Sequence, residues 1–215
     1  MRLILASTSP RRREILGLLG APFEMIAPRF EEIVFRHRSI EEEVLEFAVE
    51  KAASVAAENP HGIVIGSDTM IFLGGEKFGK PASVDDARRM LRAFSGKLHQ
   101  IYTSVAIVDG CGGPGLGIVE RVTVKMRAFS DNEVESYLTC GESLDKAGAY
   151  SIQGEGSRLI EFIEGDYLAA VGMPLRPVAR YLQERGISFP LDVETFYAEK
   201  SFLNWRSFES SRVIS

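Results

Sequence analysis

Cysteine and histidine are scarce in this sequence. Two cysteines, Cys111 and Cys140, cannot build a disulfide framework, and three separated histidines cannot supply a zinc site of the usual kind. So little cysteine fits a reducing compartment. Long apolar runs are also missing. None approaches the roughly 18 residues that a membrane-spanning helix needs. The opening Met1 to Ala6 meets Ser7-Thr8-Ser9-Pro10 too soon for a secretory signal. A cytoplasmic protein with no membrane attachment is expected. Positive charge is not in excess either. Twenty-five basic residues stand against thirty acidic ones, for a net charge of −5, which argues against nucleic acid as a partner. There is no solenoid repeat and no heptad pattern, and the junction of Ser7 to Arg13 carries no Walker-type or dinucleotide-binding glycine fingerprint. Nor is there a Ser/His/Asp triad, because His37, His61 and His99 fall in segments with ordinary structural explanations.

What is present suffices for a core. Hydrophobic residues make up 45% of 215, enough for one large domain or two small lobes. Leu3 to Ala6 reads as a short buried strand, and Ser9-Pro10 as the cap and first position of a helix that runs through Leu19 to Gly20. Phe23 to Ala27 is a second strand, and 29–38 a long polar loop. Ser39 with Glu42, Ser83 with Asp86 and Ser130 with Glu133 mark three further helix starts by capping-box spacing. Strands are predicted at Ile63 to Ile65, Met70 to Leu73, Ile101 to Val108, Ile118 to Met126 and Leu159 to Ile163, with a last helix at Pro177 to Glu184. Strands alternating with helices, interrupted by a hairpin, predict an α/β fold on a mixed sheet. Beyond Gly186 the pattern weakens. Phe196, Tyr197, Phe202, Leu203 and Trp205 are able to pack, and Ser207 to Ser215 reads as a loose end.

Three features break ordinary structural rules. Arg11, Arg12 and Arg13 crowd the first turn of a helix whose dipole prefers carboxylates there, just after the hydroxyls of Ser7 to Ser9. A strand, a turn of small hydroxyl residues and a helix make an anion cradle, and guanidinium forks add phosphate donors; a solvated basic patch is the alternative. Lys51 falls in the stripe Val44, Ala48, Lys51, Val55 on the long helix, so it must snorkel to an edge or meet an anion. Asp68 follows the apolar run that starts at Gly62 and is placed to hold a metal ion, take a proton from water or form a turn. Lys80 lies nearby if the Gly74-Gly75 turn doubles the chain back. Glu31-Glu32, the charges of Glu142, Asp145 and Lys146, and the flexible Gln153-Gly154-Glu155-Gly156 add polar groups at glycine-rich connections.

The motifs Leu5-Ala6-Ser7-Thr8-Ser9-Pro10-Arg11-Arg12, Glu50-Lys51-Ala52, Gly66-Ser67-Asp68-Thr69 and Gly79-Lys80-Pro81 occur in that order. They are followed by Ser95-Gly96-Lys97-x-His99, Asp145 to Tyr150, Gly165-Asp166-Tyr167 and Val171-Gly172-Met173-Pro174-Leu175. Together they resemble the Maf family of nucleoside triphosphate pyrophosphatases, over about Met1 to Gly186. The resemblance implies an elongated α/β fold of two lobes with a mixed twisted sheet and a central cleft, similar to inosine triphosphate pyrophosphatases. It implies one catalytic domain over 1–188, leaving 189–215 as an extension. It further implies hydrolysis of a nucleoside triphosphate to monophosphate and pyrophosphate with Mg2+ or Mn2+. Asp68 would then be the catalytic carboxylate, bound to the metal with Glu32. Lys51, Lys80 and Glu32 would complete the catalytic site, Ser7, Arg11 and Arg12 would grip the phosphates, and Gln153 would help select the base. The Asp145 to Gln153 motif resembles the branch acting on dTTP and UTP, with CTP or modified pyrimidine triphosphates as further substrates. Ser104 and Ser151 stand where that branch commonly has glycine, and Glu31 where aspartate is usual. A homodimer is the assembly implied. On this reading Asp68→Asn spares folding and cuts turnover. The rival reading is a nucleotide-binding regulator of cell division that acts through a protein partner.

Overall fold

The computed structural model describes residues 2–30, 38–113 and 115–208. Its first elements are β1 (Arg2–Ala6), α1 (Pro10–Gly17), β2 (Glu24–Ile26), α2 (Ile40–Ala56), β3 (Gly62–Leu73), β4 (Glu76–Phe78) and α3 (Val84–Phe94). They are followed by β5 (Leu98–Asp109), β6 (Leu116–Met126), α4 (Asp131–Thr139), β7 (Ile160–Glu164), α5 (Tyr167–Val171), α6 (Leu175–Glu184) and α7 (Val193–Glu199). The strands form one sheet in the order β2-β1-β3-β5-β6-β7, with β4 paired to β3. β1 runs parallel to β2 and β3, whereas β3–β4 and β6–β7 are antiparallel, so the sheet is mixed as expected.

The described residues pack as two compact units. The first takes those within Met1–Asp68, Thr103–Glu120 and Gly172–Glu199, and the second those within Thr69–Tyr102, Arg121–Val171 and Lys200–Ser215. In the first unit the parallel strands are apolar on both faces, which is why Leu3 to Ala6 and Ile63 to Ile65 read as unbroken runs. α2 lies against them, and Ala52 and Val55 join Ile4, Ala6 and Val64 in one buried cluster. In the second unit a hairpin through Gly74 and Gly75, both at positive φ, folds β4 back on β3 in the register Leu73↔Glu76.

All four predicted serine caps form. Ser9, Ser39, Ser83 and Ser130 each accept the backbone N–H three residues on. Only Ser130 has the full reciprocal box, where its own N–H donates to Glu133 Oε2 at 2.8 Å. That N–H, then Arg127 and the Ser130 hydroxyl, hold the Glu133 carboxyl down to about 2. At Ser83 the carboxylate of Asp86 reaches Ala82 N instead, at 3.0 Å.

Three expectations need correction. α1 stops at Gly17, short of Leu19. The two apolar runs around Gly66-Ser67-Asp68-Thr69 are one twelve-residue strand, with Ser67 and Asp68 buried inside it. Turn-forming residue types stay extended there because each side chain finds a partner across the fold. Pro177 to Glu184 is also not the last helix. α7 follows, with Leu175 N donating to Tyr197 Oη at 3.3 Å and the Arg176 guanidinium 4.0 Å above the Tyr197 ring.

His99 on β5 is structural, as its segment suggested. It is 1% exposed, its Nε2 lies 2.7 Å from Tyr150 Oη, and its ring packs against Phe94 at 4.6 Å. Burial pushes its pKa down from 6.5 to about 3. Above about pH 6.5 the ring is neutral in both folded and unfolded chains; below it, only the unfolded chain gains the proton. Stability should therefore fall on acidification, by about 2 kcal/mol from His99 alone between pH 7.5 and 5. Urea unfolding at the two pH values should show that much less loss in His99→Phe than in the parent chain. Equal slopes would mean that His99 charges freely within the fold.

Candidate functional site

β1 delivers its last residue, Ala6, into a turn built by hydroxyls. Ser7, 5% exposed, accepts the Ser9 N–H on its Oγ at 3.1 Å, and Ser9 caps α1 with Pro10 at the first helical position. No carboxylate lies in the first turn of α1. Arg11 and Arg12 stand there instead, where the helix dipole favours an anion. Arg11 is 3.9 Å from Glu14. Arg12 Nε donates to Gly172 O at 3.1 Å, and Ser67 Oγ donates to the same carbonyl at 3.0 Å. One backbone oxygen thus ties the β1–α1 turn to the middle of β3. Gly172 holds φ +141, a conformation that side-chain-bearing residues rarely adopt.

β1 and β3 pair in parallel up to Leu5↔Ile65, and β1 ends one residue later. Ser67 and Asp68 therefore project beyond its carboxyl end, the usual place for ligands in open α/β sheets. Side chains alternate along the strand. Ser67 turns toward Gly172, and Asp68 turns to the opposite face, where α2 lies. There Lys51 Nζ donates to Asp68 Oδ1 at 2.5 Å, with the two side chains 8% and 7% exposed. Lys51 does not snorkel from its apolar stripe; it meets an anion.

Gly66 makes that contact reachable. A Cβ built on it would stand 2.1 Å from Ala48 O and 2.9 Å from Ala52 N, both backbone atoms of α2. The helix approaches the strand closely because residue 66 has no side chain, and Lys51, one turn from Ala48, comes within reach of Asp68.

Lys80 and Gln153 belong to the second unit. The β3–β4 hairpin doubles back as expected and brings the chain to Lys80, two residues past Phe78 and exposed. Gly79 O accepts the Gly148 N–H at 3.0 Å, which fixes this connection to the Ala147–Ala149 turn. Gln153 is 5% exposed, and neither its Nε2 nor its Oε1 has a hydrogen-bond partner among the described residues. Glu32 and its neighbour Glu31 lie outside the described residues. Among the described residues, no three His, Cys, Asp or Glu side chains converge as a metal site.

A family model described as Maf-like protein matches residues 2–185 of this chain. The chain belongs to the Maf family. A Moorella thermoacetica protein named dTTP/UTP pyrophosphatase is 44% identical over 186 residues, which cover 86% of this chain and 96% of that protein. A Bacillus velezensis protein of the same name is 44% identical over 186 residues, covering 86% and 97%. A third, from Bacillus cereus strain G9842, is 39% identical over 192 residues, covering 89% and 97%. Among solved structures, the Staphylococcus aureus Ham1 protein is a partial likeness, with TM-score 0.41 at 16% identity over 59% of this chain and 72% of that one.

Ser104 and Ser151 of this Maf chain, which the resemblance sets against glycine, each have a partner in their surroundings. Neither Ser104 nor Ser151 holds a positive φ, so neither position demands glycine. Ser104 Oγ donates to Val44 O at 2.5 Å, and Ser151 Oγ accepts the Gly154 N–H at 3.2 Å. Sequence reasoning quoted Ser67, Gly66 and Gly172 only as members of motifs. A small residue beside a motif aspartate was the available sign for Ser67. For Gly172, the partner 160 residues away could not be seen.

Proposed function

We propose that this chain is a nucleoside triphosphate pyrophosphatase acting on dTTP and UTP, the substrates in the names of its Maf-family relatives. The observation that carries the reading in this chain is the buried Lys51–Asp68 contact at the end of β1, beside the hydroxyl turn and the arginines of α1. In the proposed reaction water attacks the α-phosphorus, Asp68 takes its proton, and the bond to the bridging oxygen breaks so that pyrophosphate leaves with the electron pair. Lys51 orients the Asp68 carboxylate through that contact. Arg11 and Arg12, with the hydroxyls of the Ser7 to Ser9 turn, balance charge that grows on the departing phosphates. Lys80 and Glu32 complete this set as the family resemblance implies, and the Gln153 amide meets the edge of the base.

A divalent metal fits the donor set, since Asp68 offers a hard carboxylate oxygen and an ion shared with a triphosphate needs only about one or two protein carboxylates. When bound, Mg2+ or Mn2+ would neutralise phosphate oxygens, with Glu32 as the second protein ligand. No described helix is long and apolar enough to cross a membrane, and a cytoplasmic homodimer is the assembly that accompanies this reading.

The test is a product assay on dTTP, UTP, CTP, GTP, 7-methyl-GTP, ITP and ATP with Mg2+ or Mn2+, resolving monophosphate, pyrophosphate and orthophosphate. Pyrophosphate with dTMP and UMP is the expected result. Orthophosphate as the first product would move the attack to another phosphorus. Intact triphosphates alongside active controls would end the enzyme reading.

A further inference from the structure

The family match ends at residue 185, yet the chain continues into a segment that packs closely in the second unit. Trp205 and Phe208 are buried, and Trp205 stacks on Tyr167 at 5.2 Å and 16°. Tyr167 Oη donates to Leu203 O at 2.6 Å. Between these anchors Asn204 takes φ +62, a left-handed conformation that asparagine tolerates better than most residues. Its Nδ2 donates to Gln153 O at 2.9 Å. A residue beyond the family match therefore grips the main chain of the residue proposed to read the base.

Among the described residues the Gln153 amide has no partner, and a ligand supplies one. Burying an amide whose nitrogen and oxygen are both unpaired destabilises a fold, and an apolar residue of similar shape would avoid that cost. A pyrimidine edge supplies what is missing. Uracil and thymine present a carbonyl acceptor beside an N–H donor, which one carboxamide matches with its own donor and acceptor. Such a two-point match depends on where the main chain holds the amide, because hydrogen bonds weaken steeply with distance and angle. The loop is braced on its other side as well: Glu142 accepts the N–H groups of Glu155 and Gly156, and Ser151 Oγ accepts that of Gly154.

We propose that Asn204 is a positioning residue for base recognition, setting through the Gln153 carbonyl the place from which the Gln153 amide meets the pyrimidine. The inference rests on the pyrophosphatase reading above and adds to it a part for the segment beyond the family match. Asn204→Gly keeps the left-handed backbone and removes the donor. Asn204→Asp keeps the shape and sets a carboxylate against the Gln153 carbonyl.

Each variant is compared with the parent chain for kcat and KM on dTTP, for inhibition by inorganic tripolyphosphate as a base-free probe, and for Tm. KM for dTTP should rise roughly threefold to tenfold in Asn204→Gly and further in Asn204→Asp. kcat should move far less, and tripolyphosphate inhibition should stay unchanged. In a Gln153→Met background, Asn204→Gly should add little, because the two residues act as one unit. Unchanged KM, parallel loss of tripolyphosphate inhibition, or full additivity with Gln153→Met would each overturn the inference. Absence of dTTP hydrolysis in the parent chain would instead remove the reading on which it rests.

Discussion

Asp68→Asn should lower turnover of dTTP at least about a hundredfold, the scale of losing a positioned general base. The same change should also weaken the fold. Lys51 Nζ lies 2.5 Å from Asp68 Oδ1 with both side chains nearly buried, so neutralising the carboxylate removes one charge of a buried pair. Removing one partner of a buried pair costs about 3–5 kcal/mol. The motif alone predicts a substitution that spares folding, the contact with Lys51 predicts one that does not, and unfolding of Asp68→Asn decides between them. The two effects separate in the double variant. Lys51→Met added to Asp68→Asn should recover much of the lost stability and none of the lost turnover. Steady-state kinetics and denaturant unfolding on the four proteins of this cycle provide the measurement. A folded Asp68→Asn protein with near-parental turnover would remove Asp68 from the mechanism. A double variant no more stable than Asp68→Asn would show that the broken charge pair is not what weakens the fold.

Gly66→Ala should be the most damaging small change in the first unit. The added methyl would stand 2.1 Å from Ala48 O and 2.9 Å from Ala52 N. Helix backbone cannot swing aside as the tip of a side chain can, so α2 must move off the strand as a body. A loss of at least about 3 kcal/mol is expected, the upper end for overpacking. Lys51 travels with α2, so the surviving folded fraction should also lose activity. Gly17→Ala is the control. Nothing lies within 4 Å of a Cβ built there, at the end of α1, and alanine favours a helix, so stability should hold or rise by up to about 1 kcal/mol. Equal stability for the two variants in urea unfolding would mean that α2 does not sit as closely on β3 as described.

Local chemistry explains which parts of this molecule were legible in advance. A serine cap is decided by residues three apart, so Ser9, Ser39, Ser83 and Ser130 announce their helices. A strand buried on both faces is an apolar run, so β1 stands out. β3 reads as two strands in the sequence because Ser67 and Asp68 are turn formers when judged by their neighbours. Their partners, Gly172 and Lys51, lie 105 and 17 positions away, and only the folded chain shows that extended backbone suits them. The site divides along the same line. Lys51 was conspicuous as a charge in an apolar stripe, and the arginines as cations at the wrong end of a helix. Gly66 and Gly172 leave no such mark, since what they contribute is the absence of a side chain. The C-terminal aromatics looked unassigned because the partner of Trp205 is Tyr167, in another element.

The docking of residues 203–208 on Tyr167 also sets an order of events during synthesis. A ribosome makes the second unit's α5 well before the segment that covers it, so Tyr167 leaves the tunnel with its ring uncovered and its hydroxyl without the Leu203 carbonyl. The first unit waits as well, because Arg12 and Ser67 share a carbonyl at position 172. Neither unit is thus one continuous run of chain, and contacts of such long sequence separation form late and slowly. Until residues 203–208 emerge the Tyr167 face stays uncovered, and their docking is what withdraws it.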